Sequence, residues 1–173
     1  MNTPQYQELQ NAIDFLRKTL ANVKMNLDYS VDSVKHLDYI LEDAFKKGKL
    51  KNPNGPFAQQ QGIIMLGMTG YLVEVVIQNT NNSKVEIDPN DEQWYVNLKL
   101  TGEKGWTIQP GLRVMKRAYT GSEAELYAYV LSAIKYFNQV EGNAGDSNAY
   151  IQEVYVREDP LNGKKPWWKE SKK

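Results

Sequence analysis

Glu74 has the most unusual surroundings of any ionisable residue in the sequence, because the stretches 71–73 and 75–77 beside it are almost entirely apolar. A carboxylate in such a run either faces a narrow strip of solvent or is buried with a partner, since an unpaired buried charge is very unfavourable. Lys116 and Arg117 are the candidate partners, and the forked guanidinium of Arg117 fits a carboxylate better than an ammonium does. We therefore expect a structural ion pair of Glu74 with Arg117 or Lys116. General acid–base catalysis by Glu74 is the alternative.

Five acidic residues crowd the second predicted helix and could offer oxygen ligands to a divalent metal: Asp28, Asp32, Asp38, Glu42 and Asp43. They do not follow the spacing of a calcium-binding loop. His36 is the only histidine and there is no cysteine, which excludes a zinc site built from several such ligands. No Gly-x-Ser-x-Gly segment supplies a nucleophile for a catalytic triad. The sequence thus predicts no catalytic residue, metal or cofactor, and the carboxylates are assigned to helix capping and a solvated helix face.

The overall composition is typical of one folded domain. A chain of 173 residues can bury about 70 % of its unfolded surface, and 41 % of its residues are hydrophobic. The 21 acidic and 21 basic side chains cancel, which argues against a nucleic-acid partner because phosphate backbones require a cationic face. We predict a single domain over residues 1–158 and a basic tail, 159–173, that contains Trp167 and Trp168.

The N-terminal sequence MNTPQYQELQ lacks the basic stretch and apolar run of a secretory signal. An exported protein from which a signal had been removed would look the same. The sequence has no uninterrupted apolar run of about 18 residues, so we expect neither a membrane span nor a membrane partner. A cytoplasmic location is therefore predicted.

The first predicted helix is the clearest element of the chain, because its apolar residues recur three and four positions apart. Thr3 is suited to cap it, and Pro4 to occupy its first turn. A coiled coil is the alternative interpretation, with assembly of several copies through this helix. The stripe consists of Leu9, Ile13, Leu16, Leu20, Val23 and Leu27.

Two more helices are predicted before the middle of the chain. The second starts at a Ser30 cap and ends among the lysines of 46–49, where the helix dipole favours cations. The third, over about 57–78, is apolar on most sides and is expected to be the central, most buried helix. Its glycines disfavour a helix interior, so we expect them to let another element approach closely. They are Gly62, Gly67 and Gly70.

Strands are predicted to follow. Alternating apolar and polar residues indicate strands at 84–88 and 94–101, and Gly102–Gly105 has the length of a hairpin connection into a strand at 106–108. Pro110 and Gly111 suggest a turn, and 112–118 is interpreted as a further strand or extended segment.

A last helix and an edge strand complete the predicted order. Ser122 and Glu125 have the spacing of a capping box before a helix whose apolar stripe ends at Phe137. The stretch 150–156 could form an edge strand. The predicted fold class is α+β, with three N-terminal helices and one later helix packed on a mostly antiparallel sheet of about four strands.

Three segments resemble the signatures of an uncharacterised bacterial family of the DUF3806 kind, a domain of unknown function. They are 27–38 (LDYSVDSVKHLD), 70–76 (GYLVEVV) and the group Pro110, Val114, Lys116, Arg117 and Gly121. The resemblance spans roughly 27–137 and implies no reaction, ligand or catalytic residue. Small bacterial proteins of this sort are often encoded beside toxins, which suggests a role as an immunity protein or other protein-binding module.

Aromatic residues supply the candidate interface. Exposed tyrosines and tryptophans dominate binding hot spots, and the wetter face of the predicted sheet carries Tyr95, Asn97 and Lys99. The predicted function is a non-enzymatic protein-binding module, in its more specific form an immunity protein that neutralises a partner toxin. The alternative is a small-molecule-binding protein or small enzyme with a pocket near Glu74, Lys116 and Arg117. The sequence does not predict the oligomeric state.

Overall fold

A computed structural model describes residues 3–121 and 124–139. In this part of the chain the helices are α1 (Pro4–Ala21), α2 (Val34–Ala44), α3 (Pro56–Gln59), α4 (Gln61–Gln78), α5 (Trp94–Asn97), α6 (Pro110–Thr120) and α7 (Leu126–Phe137). The strands are β1 (Phe45–Lys46), β2 (Lys49–Leu50), β3 (Lys84–Glu86), β4 (Lys99–Thr101) and β5 (Thr107–Ile108). The predicted α+β class is confirmed. Ser122, the strand expected at 150–156 and the tail 159–173 lie outside the described residues.

The β structure is smaller than expected and is divided between two sheets. Strands β1 and β2 form an antiparallel hairpin, and β3, β4 and β5 form a three-stranded antiparallel sheet in that order. The helices therefore pack mainly on one another, and the three-stranded sheet adds Val85, Leu100 and Ile108 to the same buried core.

Helix α1 forms as predicted at its start and along its buried face. Thr3 Oγ1 accepts a hydrogen bond from the backbone N–H of Tyr6 at 3.3 Å, and Pro4 occupies the first turn. The stripe from Leu9 to Leu20 is buried against the rest of the same chain, so the coiled-coil interpretation is wrong. The helix ends at Ala21, which leaves Val23 outside it and 61 % exposed.

Helix α4 is the central helix, and two of its glycines allow α1 to pack closely. A Cβ on Gly67 would lie 2.5 Å from the backbone oxygen of Ala12, and one on Gly70 would lie 2.8 Å from the side chains of Leu9 and Ile13. Gly62 is different, because a Cβ there would meet nothing within 4 Å. By length and composition α4 could cross a membrane, but most of it is buried inside the protein, as in the core helix of a soluble protein.

The prediction of a strand or extended segment at 112–118 is wrong, because this segment forms α6. The buried positions of α6 recur at helical spacing, and Pro110 begins the helix instead of forming a turn, since a missing N–H costs nothing in the first helical turn. The strand expected at 94–101 is confirmed only for its second half, β4, because 94–97 form α5. Gly111 allows α6 to meet α5, since a Cβ there would lie 2.0 Å from the backbone oxygen of Tyr95.

Helix α2 is shorter at both ends than predicted. It begins at Val34, and Ser30 instead accepts a hydrogen bond from the N–H of Ser33 in the turn before the helix. The lysine-rich segment after Ala44 forms the β1–β2 hairpin. Lys47 and Gly48, at its tip, have φ angles of 50° and 73°, which are typical of the two-residue turn that matches strand twist.

Candidate functional site

The most elaborate polar contact of the described residues joins α2, α6 and α7 through Asp38. Its Oδ1 accepts a hydrogen bond from Arg117 Nε at 3.0 Å, and Arg117 Nη2 also reaches Glu42 Oε2 at 3.0 Å. The side chain of Arg117 is only 4 % exposed, whereas that of Glu42 is 65 % exposed. Asp38 is thus the partner that compensates a buried positive charge, and Glu42 lies at the solvent edge.

Asp38 also caps α7. The backbone N–H groups of Leu126 and Tyr127 donate to its two carboxylate oxygens, each at 2.9 Å. The first N–H groups of a helix have no partner within the helix, and the helix dipole favours an anion there. A side chain 88 residues earlier in the sequence therefore caps α7.

The expected ion pair of Glu74 with Arg117 or Lys116 is wrong. Glu74 Oε1 accepts hydrogen bonds from Tyr6 Oη at 3.0 Å and Gln10 Nε2 at 2.8 Å, so Glu74 faces α1. The prediction placed 116–117 on a strand, whereas α6 directs Arg117 towards α2. Partial burial, followed by the negative charge of Glu74, raises the pKa of Tyr6.

A second polar cluster anchors the segment between α1 and α2. Tyr71, fully buried on α4, accepts a hydrogen bond from the N–H of Tyr29 at 2.7 Å, and its hydroxyl lies 2.5 Å from Ser33 Oγ. The rings of Tyr29 and Tyr71 stack at 5.1 Å, and Arg17 lies over the Tyr29 ring. Burial raises the pKa of Tyr71, while a hydrogen bond with Ser30 lowers the pKa of Asp28. The motif 27–34 is thus explained by packing against α4.

The acidic run on α2 serves several structural roles. Asp38 and Glu42 share the helix face that meets Arg117, while Asp32 is exposed and pairs with Lys35. His36 lies half-buried on α2. Within residues 3–121 and 124–139 no group of three or more His, Asp or Glu side chains is arranged to hold a metal ion.

One surface groove, here called the Val23–Tyr39 groove, has a volume of about 360 Å³ and lies where the ends of α1 and α2 meet the 50–57 segment. Val23 and Tyr39, which both line this groove, are each 61 % exposed. Asp43 and Lys51 add charges of opposite sign. The remaining wall is mostly apolar and includes Leu20, Met25, Ile40, Ala44, Leu50, Pro56 and Phe57.

The second groove, here called the Gln61 groove, has a volume of about 350 Å³ and lies between the first halves of α1 and α4, with Tyr95 and Met115 closing it. Gln61 is buried in its wall, and its Nε2 has no hydrogen-bond partner among the described residues. A buried donor without a partner costs about 1–3 kcal/mol. The rest of the wall consists of Glu8, Asn11, Ala12, Gly62, Ile63, Met65 and Leu66.

The residues of the predicted interface do not share a sheet face, because 94–97 are helical. Tyr95 is half-buried in the wall of the Gln61 groove, while Asn97 and Lys99 are exposed, and Asn97 Nδ2 donates to Asp91 Oδ2 at 2.7 Å. The pocket expected near Glu74, Lys116 and Arg117 is neither of these grooves, since none of the three residues is in either wall. No sequence pattern marked the grooves, because they form where separate elements meet.

Comparison with known proteins gives no match to a family model, to a curated protein or to a solved structure.

Proposed function

We propose that this chain is a non-enzymatic protein-binding module whose contact surface is centred on the Val23–Tyr39 groove. The observation that carries the proposal is the exposure of Val23 and Tyr39 on one groove with an apolar floor. Contiguous exposed apolar surface with charged residues at its edge is the usual composition of a protein interface. Tyr39 is also of the residue type most enriched among binding hot spots.

The charged clusters support a role without catalysis. Asp38 and Arg117 are engaged with each other and with the start of α7, and Glu74 accepts two hydrogen bonds from α1. Groups held in this way stabilise the fold and are not positioned to transfer a proton to a substrate. The grooves, which are accessible, contain mainly apolar side chains.

The more specific form of the proposal is a bacterial immunity protein that binds a toxin in the cytoplasm and covers its active surface. The resemblance of 27–38, 70–76 and 110–121 to the DUF3806 kind of family supports it. Co-expression with the product of the neighbouring gene tests it. We expect growth to be restored by the wild-type chain and not by Tyr39→Ala, and a neighbour that is harmless or equally toxic in both cases would contradict it.

The contact surface is tested with full-length tagged protein, crosslinked in the native cell, followed by affinity measurement for the recovered partner. Tyr39→Ala should weaken binding at least about 30-fold, as expected for a hot-spot residue. Leu131→Ala is the matched control, because Leu131 is 49 % exposed on α7 and lies in neither groove. Lys99→Glu tests the surface expected from the sequence. Recovery of no partner, or loss of binding only with Lys99→Glu, would refute the Val23–Tyr39 groove as the contact surface.

A further inference from the structure

We propose that the Val23–Tyr39 groove receives an apolar side chain from a partner protein whose surrounding surface is acidic. This inference rests on the proposed function and adds the chemistry of the partner. It is drawn from the lysines around the groove, which form a local positive excess in a chain whose total charge is zero. Opposite charges around an apolar contact are the means by which protein interfaces attract one partner and reject others.

The β1–β2 hairpin forms one wall of the groove and carries lysines on its outer face. Leu50 lines the groove, and its strand neighbour Phe45 packs edge-on against Phe57, another residue of the wall, at 5.6 Å. Lys46 lies opposite Lys49 in the same hairpin, and both are exposed because side chains alternate between the two faces of a strand. Each is one residue, about 3.8 Å along the chain, from the wall. That is well within the screening length of about 8 Å in physiological salt.

Three more lysines extend the positive charge around the groove. Lys51 is part of the wall, Lys24 lies between two residues that line it, and Lys47 lies at the tip of the hairpin. All three are exposed, and none of the five lysines forms an ion pair with a carboxylate in the described part of the chain. Lys51 Nζ donates to the backbone oxygen of Glu42 at 2.8 Å, which leaves its charge uncompensated.

The acidic residues nearby do not cancel this charge. Asp43 is the only acidic residue in the described wall, and Glu42 beside it is bound to Arg117. The lysines do not compensate the dipole of α2 either, because the helix ends at Ala44 with no basic residue in its last turn. The positive excess is therefore available to carboxylates of a partner.

The shape and charge of the groove favour a protein over a membrane or a nucleic acid. A concave site of about 360 Å³ can take a projecting side chain, which a protein surface supplies. Asp43 in the wall would repel the phosphates of a lipid or nucleic acid, whereas a protein can place a cation opposite it. A toxin surface that binds nucleic acid is itself cationic. The surface covered by this chain is therefore not a nucleic-acid-binding cleft.

Three peptides of similar length separate charge from apolar contact: Asp-Glu-Leu-Phe-Asp-Glu, its amide counterpart Asn-Gln-Leu-Phe-Asn-Gln and its basic counterpart Lys-Arg-Leu-Phe-Lys-Arg. Binding is followed on the full-length protein by NMR of ¹³C-labelled methionine methyl groups. Met25 lines the groove, and Met65 and Met115 line the other groove and serve as references. We expect the acidic peptide to shift the Met25 signal and to bind about tenfold more tightly than the amide peptide at low ionic strength, because several exposed charge pairs each add a little. High salt should reduce this preference.

Charge reversal on the hairpin tests the lysines directly. The double variant Lys46→Glu/Lys49→Glu should weaken binding of the acidic peptide at least about tenfold and favour the basic peptide. Lys99→Glu makes the same change at an exposed position of β4, outside the groove wall, and should leave the preference unchanged. If the amide or basic peptide binds the wild type as tightly as the acidic one, the inferred acidic partner is wrong, although the groove remains a contact surface. If no peptide shifts Met25, the groove is not a protein contact surface and the proposed function fails with it.

Other occupants of the groove give different results, and each would overturn the inference. A Met25 signal that depends on protein concentration without peptide would assign the groove to a second copy of the chain. A Met25 signal that changes when the acidic residues of 141–159 are replaced by their amides would assign it to this chain's own segment. Tighter binding of single-stranded oligothymidylate or of phosphatidylserine vesicles than of the acidic peptide, lost in Lys46→Glu/Lys49→Glu, would assign it to a polyanion.

Discussion

Asp38 shows how one short carboxylate can connect three helices. Its carboxylate oxygens accept hydrogen bonds from Arg117 of α6 and from two backbone N–H groups of α7. A single side chain therefore compensates a buried positive charge and also caps the start of a helix. The forked guanidinium matters because Nε binds the Asp38 carboxylate while Nη2 reaches the Asp38 backbone oxygen and Glu42. An ammonium could not hold this planar arrangement.

Replacing Asp38 with alanine should lower the free energy of unfolding by about 3–5 kcal/mol, because it leaves the buried Arg117 charge without its main partner. Glu42→Ala is the control, and since Glu42 is largely exposed we expect a loss of only about 0–1 kcal/mol. Urea denaturation measures both values. Similar losses for the two variants would show that the charge of Arg117 is compensated elsewhere.

The Tyr71 hydroxyl is expected to matter through the backbone it binds. Tyr71→Phe leaves the N–H of Tyr29 and the hydroxyl of Ser33 without this partner, so stability should fall by about 1–3 kcal/mol. Tyr39→Phe, at an exposed position, should change stability by less than about 0.5 kcal/mol. Chemical denaturation of the two variants side by side tests the difference, and an unchanged midpoint for Tyr71→Phe would contradict the assignment.

At the scale of the elements, the contact between α1 and α4 depends on glycine. Gly67 lies directly under the backbone of α1, where even a methyl group would overlap the carbonyl of Ala12. Gly62 lies on the same helix but faces the open Gln61 groove. The same residue type thus allows close packing at one position and leaves space at the other.

Gly67→Ala and Gly62→Ala should therefore have opposite effects. Gly67→Ala must push α1 away from α4, and we expect a loss of about 1–3 kcal/mol or more. Gly62→Ala should stabilise the protein by up to about 1 kcal/mol, because alanine is the better helix former and no clash occurs. Thermal and urea unfolding of the pair provide the measurement. If both substitutions destabilised the protein, the claim that Gly62 has room for a methyl group would be wrong.

At the scale of the whole molecule, the partly buried Tyr6 and the fully buried Tyr71 are expected to make the free energy of unfolding depend on pH in the alkaline range. Burial is the main cause that raises the pKa of Tyr6 and Tyr71 above the ordinary value of 10.0. The folded protein then holds phenol protons that the unfolded chain releases, so their contribution is full below pH 10 and is lost as pH rises through the folded pKa values.

The double variant Tyr6→Phe/Tyr71→Phe should therefore show a shallower fall in unfolding free energy above about pH 10 than the wild type. Denaturation curves at a series of alkaline pH values give the two slopes, and the slopes are compared independently of any constant difference in stability. Parallel curves for the double variant and the wild type would exclude these two tyrosines as the cause.

Local patterns were sufficient for much of the secondary structure. The start of α1, its buried stripe, the central position of α4, and the hairpin between β4 and β5 follow from residues close together in sequence. The same local patterns gave a wrong prediction where one pattern is compatible with two different secondary structures. Pro110 can open either a turn or a helix, and alternation over 94–101 did not reveal that the first four residues form α5.

The sequence by itself determined the α+β class and the apolar helix stripes, because these depend on neighbours within a few residues. It predicted close contacts at Gly62, Gly67 and Gly70, which is right for Gly67 and Gly70 and wrong for Gly62. Only the tertiary structure decided that Arg117 pairs with Asp38 across 79 residues and that Asp38 caps α7. The two grooves likewise exist only where separate elements meet. A side chain's periodic position indicates which face of its helix it occupies, but its partner depends on which element packs there, and that is a property of the whole folded chain.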